Sequence, residues 1–154
     1  MKTTFIFTAF LLLSTQWLSA QPMTEEIDFY QSIFGMEKKA YVAEFIPMQT
    51  ETAMVFWDIY NKYEAERKAL GKKRIDLLLN YADKYETLSD QDTDQLIKDV
   101  MVQRKSLDKT IEKYYKQLKK NVGSQEAAQF YQIENYVLSA IRLSILESIP
   151  FFGE

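Results

Sequence analysis

The scarcity of proline and glycine is the feature that most limits what this chain can form. Between Pro47 and Pro150 there is no proline, and the only glycines are Gly71 and Gly123. The intervening residues are mostly good helix formers, and apolar side chains recur among them every three or four positions without sustained strand-like alternation. The pattern predicts long helices joined by very short turns.

Four helices are predicted from these breaks. The first begins after Thr24 and ends before Pro47, because the residue before a proline avoids helical geometry. The other three are predicted at 51–86, at 90–121 after an N-cap in the sequence 89–92, and at 124–149 with Ser124 as the cap. The chain should therefore be all-α, with two long antiparallel central helices and two flanking ones.

The apolar stripes predict which helix faces are buried. In the first helix the stripe comprises Ile27, Tyr30 and Phe34 and resumes at Tyr41 and Phe45. In the second helix the stripe includes Met54, Trp57, Tyr60, Leu70, Leu77, Tyr81 and Tyr85.

The last helix is apolar on almost every side in its second half, where Leu138, Leu143 and Leu146 broaden the stripe. Such a helix should lie in the centre of the fold or against another subunit, and the second alternative suggests a homodimer. Arg142 and Glu147 argue against a membrane span there. Binding of this helix to a membrane surface is a weaker alternative.

The first twenty residues have the pattern of a secretory signal. Lys2 is their only charge, an apolar run covers 5–13, and small residues lead to Ala20. The run is too short to span a bilayer comfortably, which favours cleavage after Ala20 over permanent anchoring. Residues 21–154 would then form one helical domain in the periplasm or outside the cell.

The absence of histidine and cysteine narrows the classes of function. Without them the chain lacks the commonest general base, the usual catalytic triads, thiol chemistry and most transition-metal ligands. It also has no glycine loop for phosphate, so no cofactor is predicted. The formal charge of −3 disfavours nucleic acid as a partner. These observations favour a binding protein over an enzyme.

A lysine stripe runs along the third predicted helix, opposite Leu107, Ile111 and Tyr114. Its members recur at intervals of four, four, three and four residues: Lys105, Lys109, Lys113, Lys116 and Lys120. The stripe can be a solvated face that keeps the helix soluble. It can also attract acidic or unfolded polypeptides at long range. These five lysines are the candidate residues for binding such polypeptides, which are called clients below.

Alternate acids at Asp90, Asp92 and Asp94 are typical of the start of a calcium loop. Such a loop also requires glycine at its sixth position and glutamate at its twelfth, where this chain has Gln95 and Met101. Acids are favoured at a helix N-terminus without any metal. The pattern therefore favours a helix cap.

An aromatic cluster, made of Phe56, Trp57, Tyr60 and Tyr63, allows two interpretations. It can contact clients, but aromatic residues at helical spacing more often form a core.

Glu134 interrupts the apolar stripe of the last helix. It is expected to be partly buried and paired with a base such as Arg142, and a structural ion pair is favoured over a catalytic carboxylate.

Three segments carry a resemblance to a known family: 50–57 (TETAMVFW), 60–68 (YNKYEAERK) and 122–131 (VGSQEAAQFY). With the signal segment and long charged helices, they resemble the Spy/CpxP group of periplasmic proteins and the small exported proteins labelled as sensors of extracytoplasmic-type sigma factors. Thr50 and Ser124 stand at the threonine of the group's Leu-Thr-x-x-Gln helix start, whereas Ala53 and Ala127 replace its glutamine.

The resemblance implies a thin helical hairpin that dimerises and cradles unfolded proteins. The first functional hypothesis is accordingly an ATP-independent holdase chaperone of the cell envelope. The alternative is an exported regulatory protein that binds a membrane-anchored signalling partner and reports envelope stress.

Overall fold

The computed structural model describes residues 37–150 and residue 152. These residues form helices and no strand, which confirms the all-α prediction. The helices are α1 (37–45), α2 (Thr50–Lys84), α3 (Asp90–Asn121) and α4 (Ser124–Ser148). The ends of α2, α3 and α4 lie within two residues of those predicted. The predicted signal segment at 1–20 and the first part of the predicted first helix lie outside the described residues.

Helices α2 and α3 run antiparallel to each other. Glu66 of α2 accepts hydrogen bonds from Thr110 and Tyr114 of α3, while the Leu70 carbonyl accepts one from the earlier Gln103 at 3.2 Å. The opposite order of these contacts along the two helices establishes their direction. Helix α2 continues without interruption through Gly71.

The predicted cap at the start of α3 is confirmed. The Ser89 hydroxyl accepts a hydrogen bond from the Asp92 amide at 3.2 Å, and the Asp92 carboxylate accepts one from the Ser89 amide at 3.4 Å. This reciprocal capping box satisfies two backbone donors at once. The predicted cap at Ser124 is wrong, because the extended residue Gly123 already occupies the cap position and Ser124 begins the helix.

Helix α1 packs over the junction between α2 and α4. Its Lys38 contacts Glu64 of α2 and Glu134 of α4, and its Phe45 carbonyl accepts a hydrogen bond from Gln129 of α4. The core beneath α1 is largely aromatic and aliphatic: Val42, Ile46, Phe56, Tyr60, Tyr63, Ile111, Tyr114, Leu118 and Phe130. Full burial of one such side chain contributes about 1.5–3 kcal/mol.

The predicted apolar stripe of α1 is wrong within the described residues. The buried row consists of Lys38 and Val42 of α1 and Ile46 directly after it, whereas Tyr41 and Phe45 are 36% and 50% exposed. The two aromatic rings lie against each other on the outer side, with centroids 4.5 Å apart. The buried row includes a lysine because its ammonium group reaches two carboxylates between α2 and α4.

The apolar positions of α2 and α4 are only partly buried. Met54, assigned to the stripe of α2, is 68% exposed. Leu143 and Leu146 of α4 are 58% and 51% exposed, so the second half of α4 does not lie in the centre of the described fold. Contact with another subunit stays a prediction. None of the described helices combines the length and apolarity that crossing a membrane requires.

Candidate functional site

At one end of the fold, aromatic side chains of α4 and α2 pack against each other and close the space between these two helices. Phe130 of α4 packs edge-on against Tyr60 and Tyr63 of α2, with centroid distances of 6.2 and 5.0 Å. Beyond Glu134 the described residues leave a groove between α2 and α4, floored by α3, with a volume of about 350 Å³. A cavity of this size is within the range of known ligand sites.

The walls of this groove are mainly apolar. Each of the three long helices contributes side chains to them: Leu77, Leu78 and Tyr81 from α2, Leu96, Val100 and Leu107 from α3, and Ile145 from α4, with Ile149 directly after α4. At the far end the Tyr81 hydroxyl donates a hydrogen bond to the Pro150 carbonyl at 2.8 Å, and the Phe152 ring lies 4.9 Å from the Tyr81 ring. Among the described residues the groove therefore presents a mainly apolar surface.

Three arginines also line the groove, one from each long helix: Arg74, Arg104 and Arg142. Within the described chain no acidic side chain forms an ion pair with them. Partial burial, followed by the nearby charge of Arg142, lowers the pKa of Arg74. Guanidinium groups bind carboxylates with paired hydrogen bonds. The groove can accordingly take an apolar segment that carries negative charge.

The lysine stripe lies on the solvent side of α3, as predicted. All five lysines are exposed, and the helical spacing places them opposite Leu107 and thus away from the groove. Lys113 pairs with Glu66 at 2.7 Å and Lys116 with Glu112 at 2.5 Å. Lys105, Lys109 and Lys120 form no ion pair with a described residue. Client binding by the stripe stays a prediction.

Glu134 is 1% exposed and forms an ion pair, as predicted, but its partner is Lys38 and not Arg142. The Lys38 Nζ atom lies 2.9 Å from one oxygen of Glu134, and the Tyr63 hydroxyl donates to the other at 2.6 Å. Arg142 lies eight residues further along α4, about 12 Å at the helical rise, and faces the groove.

The ion pair belongs to a larger buried network between α1, α2 and α4. Lys38 also contacts Glu64, which accepts a hydrogen bond from Arg67 at 3.1 Å. Burial lowers the pKa of Arg67, but the adjacent Glu64 carboxylate outweighs this and the pKa is raised overall. The network fixes α1 to the helices below it. Its arrangement is that of a structural ion-pair cluster.

The hydroxyls of Tyr60 and Tyr63 give a matched test of this network. Tyr63 donates to Glu134, whereas the Tyr60 hydroxyl is buried without a hydrogen-bond partner in the described structure. Tyr63→Phe should lower the free energy of unfolding by about 1.5–3 kcal/mol, the usual contribution of a hydrogen bond to a charged group. Tyr60→Phe should cause a clearly smaller loss. Urea denaturation of both variants at pH 7 measures the difference, and equal losses would contradict it.

The same tyrosines predict loss of stability in alkali. Burial, followed by the Glu134 charge, raises the pKa of both Tyr60 and Tyr63. Because the folded state favours the protonated phenols, their stabilisation is present below the unfolded pKa of about 10 and is lost as the pH rises further. Urea denaturation at about pH 8 and about pH 11 measures how far the free energy of unfolding falls between the two pH values. This fall should be smaller in each phenylalanine variant than in the parent chain. An unchanged pH dependence would contradict this.

The aromatic cluster is core, which confirms the favoured interpretation. Phe56, Tyr60 and Tyr63 are fully buried and Trp57 is partly buried. The Asp92 carboxylate forms the capping box of α3, which confirms the cap interpretation of the acidic run.

Sequence reasoning missed the groove. Its arginines come from three helices and each resembles an ordinary charged residue in its own segment. The unusual feature is that the three arginines converge on one apolar surface. The sequence pattern of a single helix gives no sign of this convergence.

Comparison with known proteins supplies no relative for this chain. No protein-family model, no curated protein and no solved structure matches it. The case for a function therefore depends on the residues and geometry described above.

Proposed function

We propose that this protein is an exported, ATP-independent holdase chaperone of the cell envelope that binds unfolded polypeptides. The observation that carries the proposal is the groove between α2 and α4, with its apolar walls and three arginines. An unfolded client exposes apolar side chains next to backbone and acidic groups. The groove offers contacts for both kinds of group without any bound nucleotide.

The lysine stripe contributes by attracting clients before contact. Residues 104–120 contain seven basic and two acidic side chains, in a chain with a formal charge of −3. A local positive surface raises the rate of encounter with acidic polypeptides, and salt screens this effect over about 8–10 Å. Steering by the stripe and capture by the groove are therefore separable by ionic strength.

The resemblance to the Spy/CpxP group supports this proposal, and we propose membership of that group. The antiparallel hairpin of α2 and α3 agrees with the expected architecture at a coarse level. We also propose that the protein forms a homodimer. The half-exposed Leu143 of α4, which does not line the groove, provides an apolar surface for a second copy.

An aggregation assay with matched variants tests the chaperone function. Val100 lines the groove and Val102 does not, although both are exposed on α3. Val100→Lys should raise the protein concentration needed to suppress aggregation of a chemically unfolded client by about 5–10-fold, equivalent to roughly one lost apolar contact. Val102→Lys should leave this concentration within about 2-fold of the parent value, because Val102 does not line the groove.

Salt distinguishes the contribution of the stripe. Charge reversal at Lys105, Lys109 and Lys120 avoids the paired lysines and should weaken suppression at low salt but not at high salt. Absence of suppression by the parent protein at every salt concentration would reject the chaperone proposal.

The alternative, a regulatory protein with one membrane-anchored signalling partner, is favoured by a different surface. Tyr41, Phe45 and Tyr136 are exposed around a cavity of about 300 Å³ between α1 and α4. Exposed aromatic residues are enriched where protein partners bind strongly. Saturable binding to one envelope protein that is lost in Tyr136→Ala, with no effect on unfolded clients, would support this alternative.

A further inference from the structure

Two of the arginines that line the groove face each other at the same level. Two tyrosines of α2 make hydrogen bonds that show α4 running parallel to it: Tyr63 donates to Glu134, and Tyr81 donates to Pro150. Arg74 lies seven residues before Tyr81, and Arg142 lies eight residues before Pro150. Burial, followed by the nearby charge of Arg142, lowers the pKa of Arg74, which agrees with this placement.

The third arginine lies toward the same end of the groove. Gln103 of α3 donates a hydrogen bond to the Leu70 carbonyl of α2, and Arg104 directly follows Gln103. Leu70 is four residues before Arg74, about 6 Å along the helix. The three arginines therefore define one end of the groove, called the arginine end, which is the end nearer to the aromatic contacts between α2 and α4.

The apolar lining extends from the arginine end in one direction. On α2 it reaches Tyr81, on α3 it reaches Leu96, and on the third side it reaches Ile149 directly after α4. These positions are seven, eight and seven residues from the arginine of the same side, and the spans correspond to about 10–12 Å at the helical rise. The groove thus has a positively charged end and an apolar part of limited length.

This division matches a single-chain fatty acid. Arg74 and Arg142 repel each other, and a carboxylate between them removes that repulsion and accepts paired hydrogen bonds from guanidinium groups. They form no ion pair with an acidic side chain of the described residues that could take this place. An alkyl tail has no polar group that would need a partner on the apolar lining.

The dimensions of the groove indicate the length of the tail. An extended alkyl chain advances about 1.25 Å per bond at ordinary carbon–carbon bond lengths, so about 8–10 carbons span the apolar part. The groove volume of about 350 Å³ is at the lower end of the range for small-molecule sites, which suits one such chain.

We propose that the groove is a binding site for a medium-chain fatty acid, with the carboxylate between Arg74 and Arg142 and the tail along the apolar lining toward Ile149. Arg104, which is exposed, adds positive charge at the same end. This inference goes beyond the proposed function and does not require that the protein bind clients. If clients do bind in the groove, fatty acid and client compete for it.

Isothermal titration calorimetry tests the class of ligand in protein produced from the full sequence. Three probes share a ten-carbon chain and differ in the head group: decanoate, decanol and decyltrimethylammonium, each kept below its micelle-forming concentration. Decanoate should bind at least about 10-fold more tightly than either of the others, because its carboxylate gains charge-assisted hydrogen bonds. Hexanoate, which lacks four methylene groups, should bind at least about 10-fold more weakly than decanoate.

Matched variants test the assignment of the carboxylate. Arg74→Gln combined with Arg142→Gln should weaken decanoate binding at least about 10-fold and leave decanol binding within about 2-fold. Lys105→Gln combined with Lys109→Gln removes the same number of charges from the solvent side of α3 and should leave decanoate binding within about 2-fold. Circular dichroism checks that both double variants keep their helix content.

Three outcomes would overturn the proposal. They are absence of decanoate binding, equal binding of the three ten-carbon probes, and equal weakening of decanoate binding by the arginine and lysine substitutions. Selective decanoate binding without suppression of client aggregation would support the fatty-acid site and reject the chaperone function. Suppression of aggregation without decanoate binding would have the opposite meaning, so the two proposals can fail separately.

Discussion

Replacement of Lys38 by methionine should lower the free energy of unfolding by about 3–5 kcal/mol, as expected when a buried ion pair loses one partner. Lys38 is 4% exposed and its ammonium group contacts both Glu64 and Glu134. Glu64 keeps Arg67 after the substitution. Within the part of the chain that the structure describes, Glu134 is left 1% exposed with the Tyr63 hydroxyl as its hydrogen-bond partner. The loss should therefore arise mainly from the uncompensated Glu134 carboxylate.

Two further variants test that cause. Lys38→Met combined with Glu134→Leu should recover at least half of the loss, because apolar replacement of both partners removes the buried charge. Lys39→Met, at the exposed neighbouring position, should change the free energy of unfolding by about 0.5 kcal/mol or less. Urea denaturation measures all three. A loss in Lys38→Met no larger than that in Lys39→Met would contradict a buried ion pair.

Phe130→Ala should also lower the free energy of unfolding by about 3–5 kcal/mol, through lost burial and the cavity left behind. Phe130 is fully buried and packs edge-on against Tyr60 and Tyr63. These contacts join α4 to α2 at the closed end of the fold. The substitution thus removes apolar contact where the described structure connects those two helices.

The neighbouring residue supplies the control for this prediction. Tyr131 is 47% exposed and its ring lies 5.8 Å from that of Tyr115. Tyr131→Ala should cost about 1 kcal/mol or less, since much of the ring is already in solvent. Thermal and urea denaturation compare the two variants. A similar loss for both would mean that Phe130 does not anchor the core.

The two halves of the molecule differ in how they are stabilised. At the closed end, α1 covers an aromatic core and an ion-pair network, and the chain has no cysteine that could reinforce it with a disulfide. At the other end, three helices leave an apolar groove with arginines. Substitutions at Lys38 and Phe130 should therefore alter stability, while Val100→Lys should alter binding.

The sequence predicted the helices because their ends depend on local chemistry. Pro47 and Pro150 exclude continued helix, the capping box at Ser89 and Asp92 begins α3, and the turn at Gly123 separates α3 from α4. The buried aromatic residues of α2 and the solvent side of α3 were also predictable, since a regular helix carries its apolar and charged residues on separate faces.

Contacts between distant segments were decided only by the tertiary structure. Lys38 is the partner of Glu134 because α1 crosses above α4, although Arg142 was the nearer choice in sequence. That crossing also buries Lys38, Val42 and Ile46 and leaves Tyr41 and Phe45 outside, contrary to the apolar pattern of α1 alone. The groove and its arginines depend on the paths of three helices at once. Helical periodicity specifies the faces of each helix, but the packing of neighbouring helices determines which faces meet.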